Sequence, residues 1–285
     1  MNALFNSSLP RNIETEKLRN LLLDTGFSGL YWGVAPRIHR SLRYLSPGYV
    51  DPPIGPFRLF LLDPDRITRF TARKFPPWKS RWQDFGAVSD GDWDRRELAS
   101  AHRRPIGSKS WLYLAETFTE TPLHRGLVEH FVNGVPWEEI EFVRELIDRI
   151  RSSETTVWQG CSTLTEIRQY CDDLDRLYRS MQEQGCLSMR ELNVHESRSM
   201  FFREVMEHEI LVDVSRTGEP LFVTGRHRLS LAKILNLDKV PVAVVVRHPE
   251  WTTRHRGDGR SVANTGNSDS SECVPPIGEP FDVSW

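Results

Sequence analysis

The spacing of apolar positions along the chain changes several times, and each change marks an expected element. Residues 1 to about 25 place Ile13, Leu18, Leu21 and Leu22 at helical spacing, which predicts one amphipathic helix. The stretch from there to residue 56 is rich in Gly, Pro, Tyr and Arg and reads as an irregular arm. The apolar run Leu59 to Leu62 predicts a buried strand, stopped by Asp63-Pro64. A tryptophan-rich loop through Trp78 and Trp82 follows, and residues 98 to 135 read as mixed and helical.

A clearer helix is expected from Pro136, a residue favoured in the first turn. Ile140, Val143, Leu146, Ile147 and Ile150 lie on one face of it, Glu138 and Glu139 near its start, and Arg149 and Arg151 near its end. The next helix, 163 to 184, carries the stripe Leu164, Ile167, Cys171, Leu174, Tyr178 and Met181 and stops at Gly185. Ile210 to Val214 and Leu221 to Val223 predict a hairpin through Thr217-Gly218-Glu219. Val240 to Val246 is a β-branched run of the kind that fills a strand buried on both faces. Beyond Thr252 the chain is polar, and residues 252–285 are expected to form a disordered tail.

Strands interleaved with helices predict an α/β (α+β) fold with a small mixed sheet. The formal net charge of −2 gives no global basic field, so any nucleic-acid interface has to be local. The basic arm (Arg37, Arg40, Arg43) and the tail (Arg254, Arg256, Arg260) are the only such candidates, and DNA is not the favoured partner. Cys161, Cys171, Cys186 and Cys273 make no metal-binding spacing, and His102, His124 and His130 lack a helical i, i+4 pair, so no metal site is predicted. With no apolar run near ~20 residues, no membrane span is expected. Reduced thiols in a cytoplasmic chain are the corresponding expectation.

The chemistry concentrates where the second hairpin strand runs into a helix, at Thr224-Gly225-Arg226-His227-Arg228. A helix start presents unpaired N–H groups and partial positive charge. Glycine lets a ligand approach the backbone, arginine matches phosphate oxygens with forked donors, and histidine donates from either ring nitrogen. The same residues also fit a purely structural role, with Arg228 paired to a carboxylate and Gly225 making the turn. Two acidic sets are candidates for catalytic groups. Asp90-Gly91-Asp92-Trp93-Asp94 offers Asp92 and Asp94 either as a magnesium or general-base cluster or as solvated helix-capping residues. Glu209, with Glu207 on the same strand face, offers either a base or a salt bridge.

The segment GRHRLSLAKILNLDKVPVAVV resembles the nucleotide-binding segment of the ParB/sulfiredoxin-like superfamily. The matching pieces are Gly225 to Arg228, the helix Leu229 to Leu235, Asn236-Leu237-Asp238, and Val240-Pro241-Val242. LDRLYRSMQEQGCLS (174–188) is similar to the helix and turn preceding that family's central strands, and LDPDRIT (62–68) to its opening strand. The resemblance implies a ParB/sulfiredoxin-like domain over 57–251 with a helical insertion at about 86–160, preceded by the arm at 1–56. It implies a nucleoside di- or triphosphate (ATP, ADP or CTP) held by Thr224, Gly225, Arg226, His227 and Arg228, with Mg²⁺ and a small-molecule acceptor if phosphoryl transfer occurs. Arg226 stands where sulfiredoxins carry their cysteine, and no helix-turn-helix domain follows, which sets aside redox and chromosome-partition roles. Thr224 replaces an aspartate of the free-serine-kinase branch. Three readings remain: a phosphotransferase, a non-catalytic nucleotide-regulated module, and a ParB-like DNA-binding protein or nuclease.

Overall fold

The computed structural model describes residues 27–45, 57–73, 82–95, 112, 115–152, 157, 161–195, 201–255 and 279–281. The helix expected in residues 1–25, the loop around Trp78, and Arg256 and Arg260 lie outside them.

The chain is an α/β structure built on one mixed sheet, whose strands are β1 (Leu59–Leu62), β2 (Ala87–Val88), β3 (Ile210–Val214), β4 (Pro220–Thr224), β5 (Val240–Arg247) and β6 (Glu279–Phe281). Their order is β4-β3-β5-β1-β6, with β2 pairing the far end of β5. β3 and β2 run parallel to β5, while β1 runs antiparallel to it and β4 antiparallel to β3. Every residue of β5 is buried, as its β-branched run requires of a strand with neighbours on both edges and layers on both faces. The outer edge of β4 is covered: Phe222 exchanges backbone hydrogen bonds with Arg69 and Thr71.

Alternation along the strands divides the core in two. Phe60, Leu62, Ile210, Val212, Val214, Phe222, Val242 and Val244 face one layer. That layer holds helices α2 (Pro122–Phe131), α3 (Glu141–Arg151), α4 (Leu164–Gln184) and α7 (Arg226–Ile234), with Trp251 of α8 (Pro249–His255). Leu59, Leu211, Leu221, Val223, Ala243 and Val245 face the other layer, made by α1 (Phe27–Tyr44), α5 (Met189–His195), α6 (Phe202–Glu207) and an aromatic group around Phe57, Trp82 and Phe85. The sheet therefore separates two helical layers.

The helix 163–184 has its expected limits. Thr163 and Glu166 cap each other's backbone at its start, and Gly185 ends it at φ +74°. Three expectations are corrected. The Gly/Pro/Arg-rich arm is helical over Phe27–Tyr44 despite Pro36, because tertiary packing overrides propensity. Tyr31 Oη accepts the Phe202 N–H at 2.9 Å, and His39 stacks on Phe202 with ring centres 5.3 Å apart. The helix expected from Pro136 begins at Glu141, after a 3-10 turn at Trp137–Glu139 and an extended Ile140 whose side chain is wholly buried. The tail is not uniformly structureless: α8 runs to His255, and Glu279–Phe281 adds β6 to β1.

The chain is closely packed where α2 meets α3. A methyl group added at Gly126 would sit 2.4 Å from the buried Phe142 ring and 2.8 Å from Ile140. Gly126→Ala is expected to destabilise the protein by about 1–2 kcal/mol net of alanine's helix preference, read as a lower urea midpoint at unchanged slope.

Candidate functional site

β4 ends at Thr224, and Gly225 turns the chain into α7 at φ +93°. A side chain at 225 would meet the Ile210 Cα at 2.7 Å, so the glycine is demanded by the approach of the turn to β3. Gly225 brings no side-chain oxygen to cap the helix, which leaves the first-turn N–H groups of α7 without that partner. Thr224, Gly225, Arg226 and His227 are all half-buried at this turn.

His227 stacks edge-on against Tyr170 of α4, with its Nε2 3.5 Å from the phenol oxygen. Burial, helped by the neighbouring Arg226 charge, pushes the imidazole down to about 3. At neutral pH the ring is an uncharged donor and acceptor, not a cation.

Arg228 turns inward. Its Nη2 donates to Glu209 Oε2 at 2.8 Å and its Nη1 to the Leu187 carbonyl at 2.9 Å. Glu209 Oε1 accepts the Met189 N–H at 2.7 Å, so both carboxylate oxygens are engaged. Both side chains are buried, Glu209 completely. Burial pushes the Glu209 carboxyl up, while Arg228 and the Met189 amide favour its ionised form. The single Nη2–Oε2 contact, with each group's other polar atoms engaged on backbone, makes this a buried ion pair. Of the two readings open for Arg228 and for Glu209, the ion pair is the one realised, and it supports the turn from beneath. Burial also pushes the nearby Cys186 thiol up to about 11, so that sulfur is protonated at neutral pH.

Asp92 and Asp94 lie elsewhere. They meet Arg216, in the β3–β4 turn at the opposite end of β3, roughly 20 Å from Glu209 at the usual strand rise. Arg216 Nε and Nη2 donate to Asp94 at 2.9 Å each, its backbone N–H does so at 2.8 Å, and Nη2 also reaches Asp92 at 2.8 Å. Burial raises Asp94, but the Arg216 bonds hold it below the usual carboxylate range. His248 Nε2 donates to the Gly91 carbonyl at 3.1 Å, Glu250 approaches Arg216 at 3.4 Å, and Arg254 donates to the Arg216 carbonyl. The aspartates thus serve a guanidinium staple, and the structure does not bring them to the Gly225 turn. Among the described residues, no cluster of three or more His, Cys, Asp or Glu groups is placed to hold a metal ion.

Sequence reasoning passed over Arg216, Tyr170 and Asp213. Asp213 is wholly buried in β3 at a register shift, where its Oδ1 accepts the Val246 N–H at 3.1 Å and its Oδ2 pairs with Arg73 at 2.6 Å. Its signal was a lone charge inside the apolar run ILVDV. His124 is buried, with Nδ1 lacking a hydrogen-bond partner, and burial lowers it to about 4. His130 stacks on Trp137 at 3.9 Å and reaches Asp175 at 3.1 Å, a structural role. Comparison with known protein families, characterised proteins and solved structures returns no match to this chain.

Arg228→Ala is expected to cost about 3 kcal/mol or more, because it strands a buried carboxylate. The double substitution Arg228→Met with Glu209→Leu should recover most of that loss in urea unfolding, whereas additive losses would show the pair is not coupled. A second expectation concerns acid. His227 and His124 are neutral when folded but protonate near 6.5 when unfolded, so their contribution is complete above pH 6.5 and is lost as pH falls towards 4. The unfolding midpoint should drop across that window, and His124→Leu should flatten part of the drop.

Proposed function

We propose that this chain binds the phosphate groups of a nucleotide at the Thr224–His227 turn, as a non-catalytic ParB/sulfiredoxin-like module. The observation that carries the reading is the start of α7, where a glycine supplies no side-chain cap and a half-exposed Arg226 stands at the first helical position. Uncapped N–H groups, the helix dipole and a guanidinium favour an anion together. His227, held neutral, adds a hydrogen-bond donor without a competing charge.

Two features favour binding over phosphoryl transfer. Glu209 is sealed beneath the turn with both oxygens engaged, and Asp92 and Asp94 are held by Arg216 at the other end of β3. In-line transfer needs a carboxylate within hydrogen-bond reach of the acceptor or of a bound magnesium ion. Arg228 is accordingly assigned a supporting role and Arg226 the phosphate contact. The resemblance of Gly225 to Val242 to the superfamily's nucleotide segment points the same way.

Thermal unfolding against ATP, ADP, CTP and GTP, each with and without Mg²⁺, tests the proposal. Ligand at one hundred times its Kd should add about 2.7 kcal/mol of apparent stability. Arg226→Ala should weaken that ligand about tenfold, read as a smaller ligand-induced shift relative to the variant's own unliganded midpoint. Absence of a shift with every nucleotide at millimolar concentration would remove the site.

A further inference from the structure

A cleft of about 360 Å³ lies between α3, the start of α4 and the 3-10 turn at Trp137–Glu139. Small-molecule sites span roughly 300–1,000 Å³ and often lie between helices. Val143, Ile167 and Cys171 line the cleft and are buried, while Trp137, Ile147 and Leu164 line it half-buried. Trp137 is held in place, since its Nε1 donates to Asp175 Oδ1 at 3.0 Å and its ring stacks on His130.

Six charged side chains share this lining. Asp148 and Arg151 pair with each other along α3 at 3.4 Å. The other four, Glu138, Arg144, Arg168 and Asp172, are exposed. Among the described residues, none of these four side chains has an ion-pair or hydrogen-bonded partner. Arg144 on α3 and Arg168 on α4 bring guanidinium groups from two walls. Glu138 and Asp172 both bear on Cys171, whose thiol is pushed up by burial first and then by the charges of Asp175, Asp172 and Glu138. The two carboxylates therefore act on the same part of the cleft. A simple anion is drawn to the arginines and repelled by the carboxylates, and a simple cation the reverse. A molecule carrying both charges on an apolar body satisfies all four groups and the apolar lining together.

We propose that this cleft binds a small apolar zwitterion: an α-amino acid with an aromatic or branched side chain, or a dipeptide of such residues. Arg144 and Arg168 hold the carboxylate, whose geometry their planar donors match. Glu138 and Asp172 hold the ammonium group. The side chain of the ligand lies against Trp137, Ile147 and Leu164, where half-buried apolar surface leaves water on binding. The inference is independent of the nucleotide reading, because no residue of the Gly225 turn lines the cleft and the ligand carries no phosphate.

Titration calorimetry and saturation-transfer NMR of the full-length protein with phenylalanine, leucine and phenylalanyl-leucine test the assignment. At least one of the three should bind with a Kd of about 1 mM or tighter, and which one binds tells the free amino acid from the peptide. The N-acetylated form of that ligand loses the cation, and the amidated form loses the anion. Each should bind roughly tenfold more weakly or worse. Arg144→Gln with Arg168→Gln should remove the ligand's advantage over its amide, and Glu138→Gln with Asp172→Asn its advantage over the acetylated form. All four substituted side chains are exposed, so both variants keep the fold. Absence of binding by all three ligands at about 10 mM overturns the proposal. So does a capped form that binds as well as the free zwitterion, or an affinity that both double variants leave unchanged.

Discussion

Glu209 and Arg228 bury opposite charges at the first residues of β3, and the layers around them are arranged to keep that pair satisfied. A buried carboxylate without a partner costs several kcal/mol, and so does a buried guanidinium. Here Glu209 takes Arg228 on one oxygen and the first amide of α5 on the other, while Arg228 spends its second nitrogen on the Leu187 carbonyl. Four segments are joined through two side chains: the start of β3, the turn into α7, the α4–α5 connection and α5. The pair lies under the Gly225 turn, so the position of the first turn of α7 is fixed from below. A substitution at Arg228 therefore acts on the whole corner before it acts on any ligand.

A second charged lock sits at the opposite end of β3. Arg216 gathers Asp92, Asp94 and the Gly91 carbonyl, and approaches Glu250, binding the hairpin turn to the loop after β2 and to α8. Between the two locks, Asp213 replaces a missing ladder bond with its own carboxylate and pairs with Arg73. Three charged residues on or beside one short strand, Glu209, Asp213 and Arg216, are thus each matched by an oppositely charged group from a distant part of the chain. Pairs formed over such sequence separations specify which elements meet, even where their net stabilisation is modest. The candidate carboxylates are divided in the same way: Asp92 and Asp94 are held by Arg216 at one end of β3, and Glu209 is engaged on both oxygens beneath the Gly225 turn at the other.

The helices between residues 122 and 184 and the helix α1 pack on opposite faces of this sheet. α2, α3 and α4 deepen the layer that holds α7, and Tyr170 of α4 reaches the proposed phosphate turn through His227. α1 packs on the other layer through Tyr31 and His39, while its Ile38 and Leu42 are exposed. Each group of helices shares one hydrophobic layer with a face of the sheet.

The sequence by itself determined the elements whose burial follows from periodicity: the β5 run, the hairpin, the strand Leu59–Leu62, and α4 with its capping residues and terminal Gly185. These are local matters, because a period of two or 3.6 and a capping pair are complete within a few neighbouring residues. It also located the turn at Gly225 and named both possible roles of Arg228. Which role is real was decided only by the tertiary structure, since the partner of Arg228 depends on where β3 starts relative to α7. Asp92 and Asp94 show the same limit more sharply: an acidic loop looks alike whether it faces solvent, a metal or an arginine from the far end of a hairpin. The arm at Phe27–Tyr44 became a helix for a reason no local pattern carries. Contacts with Phe202 and Trp82, distant in the chain, stabilise a segment whose composition alone disfavours it.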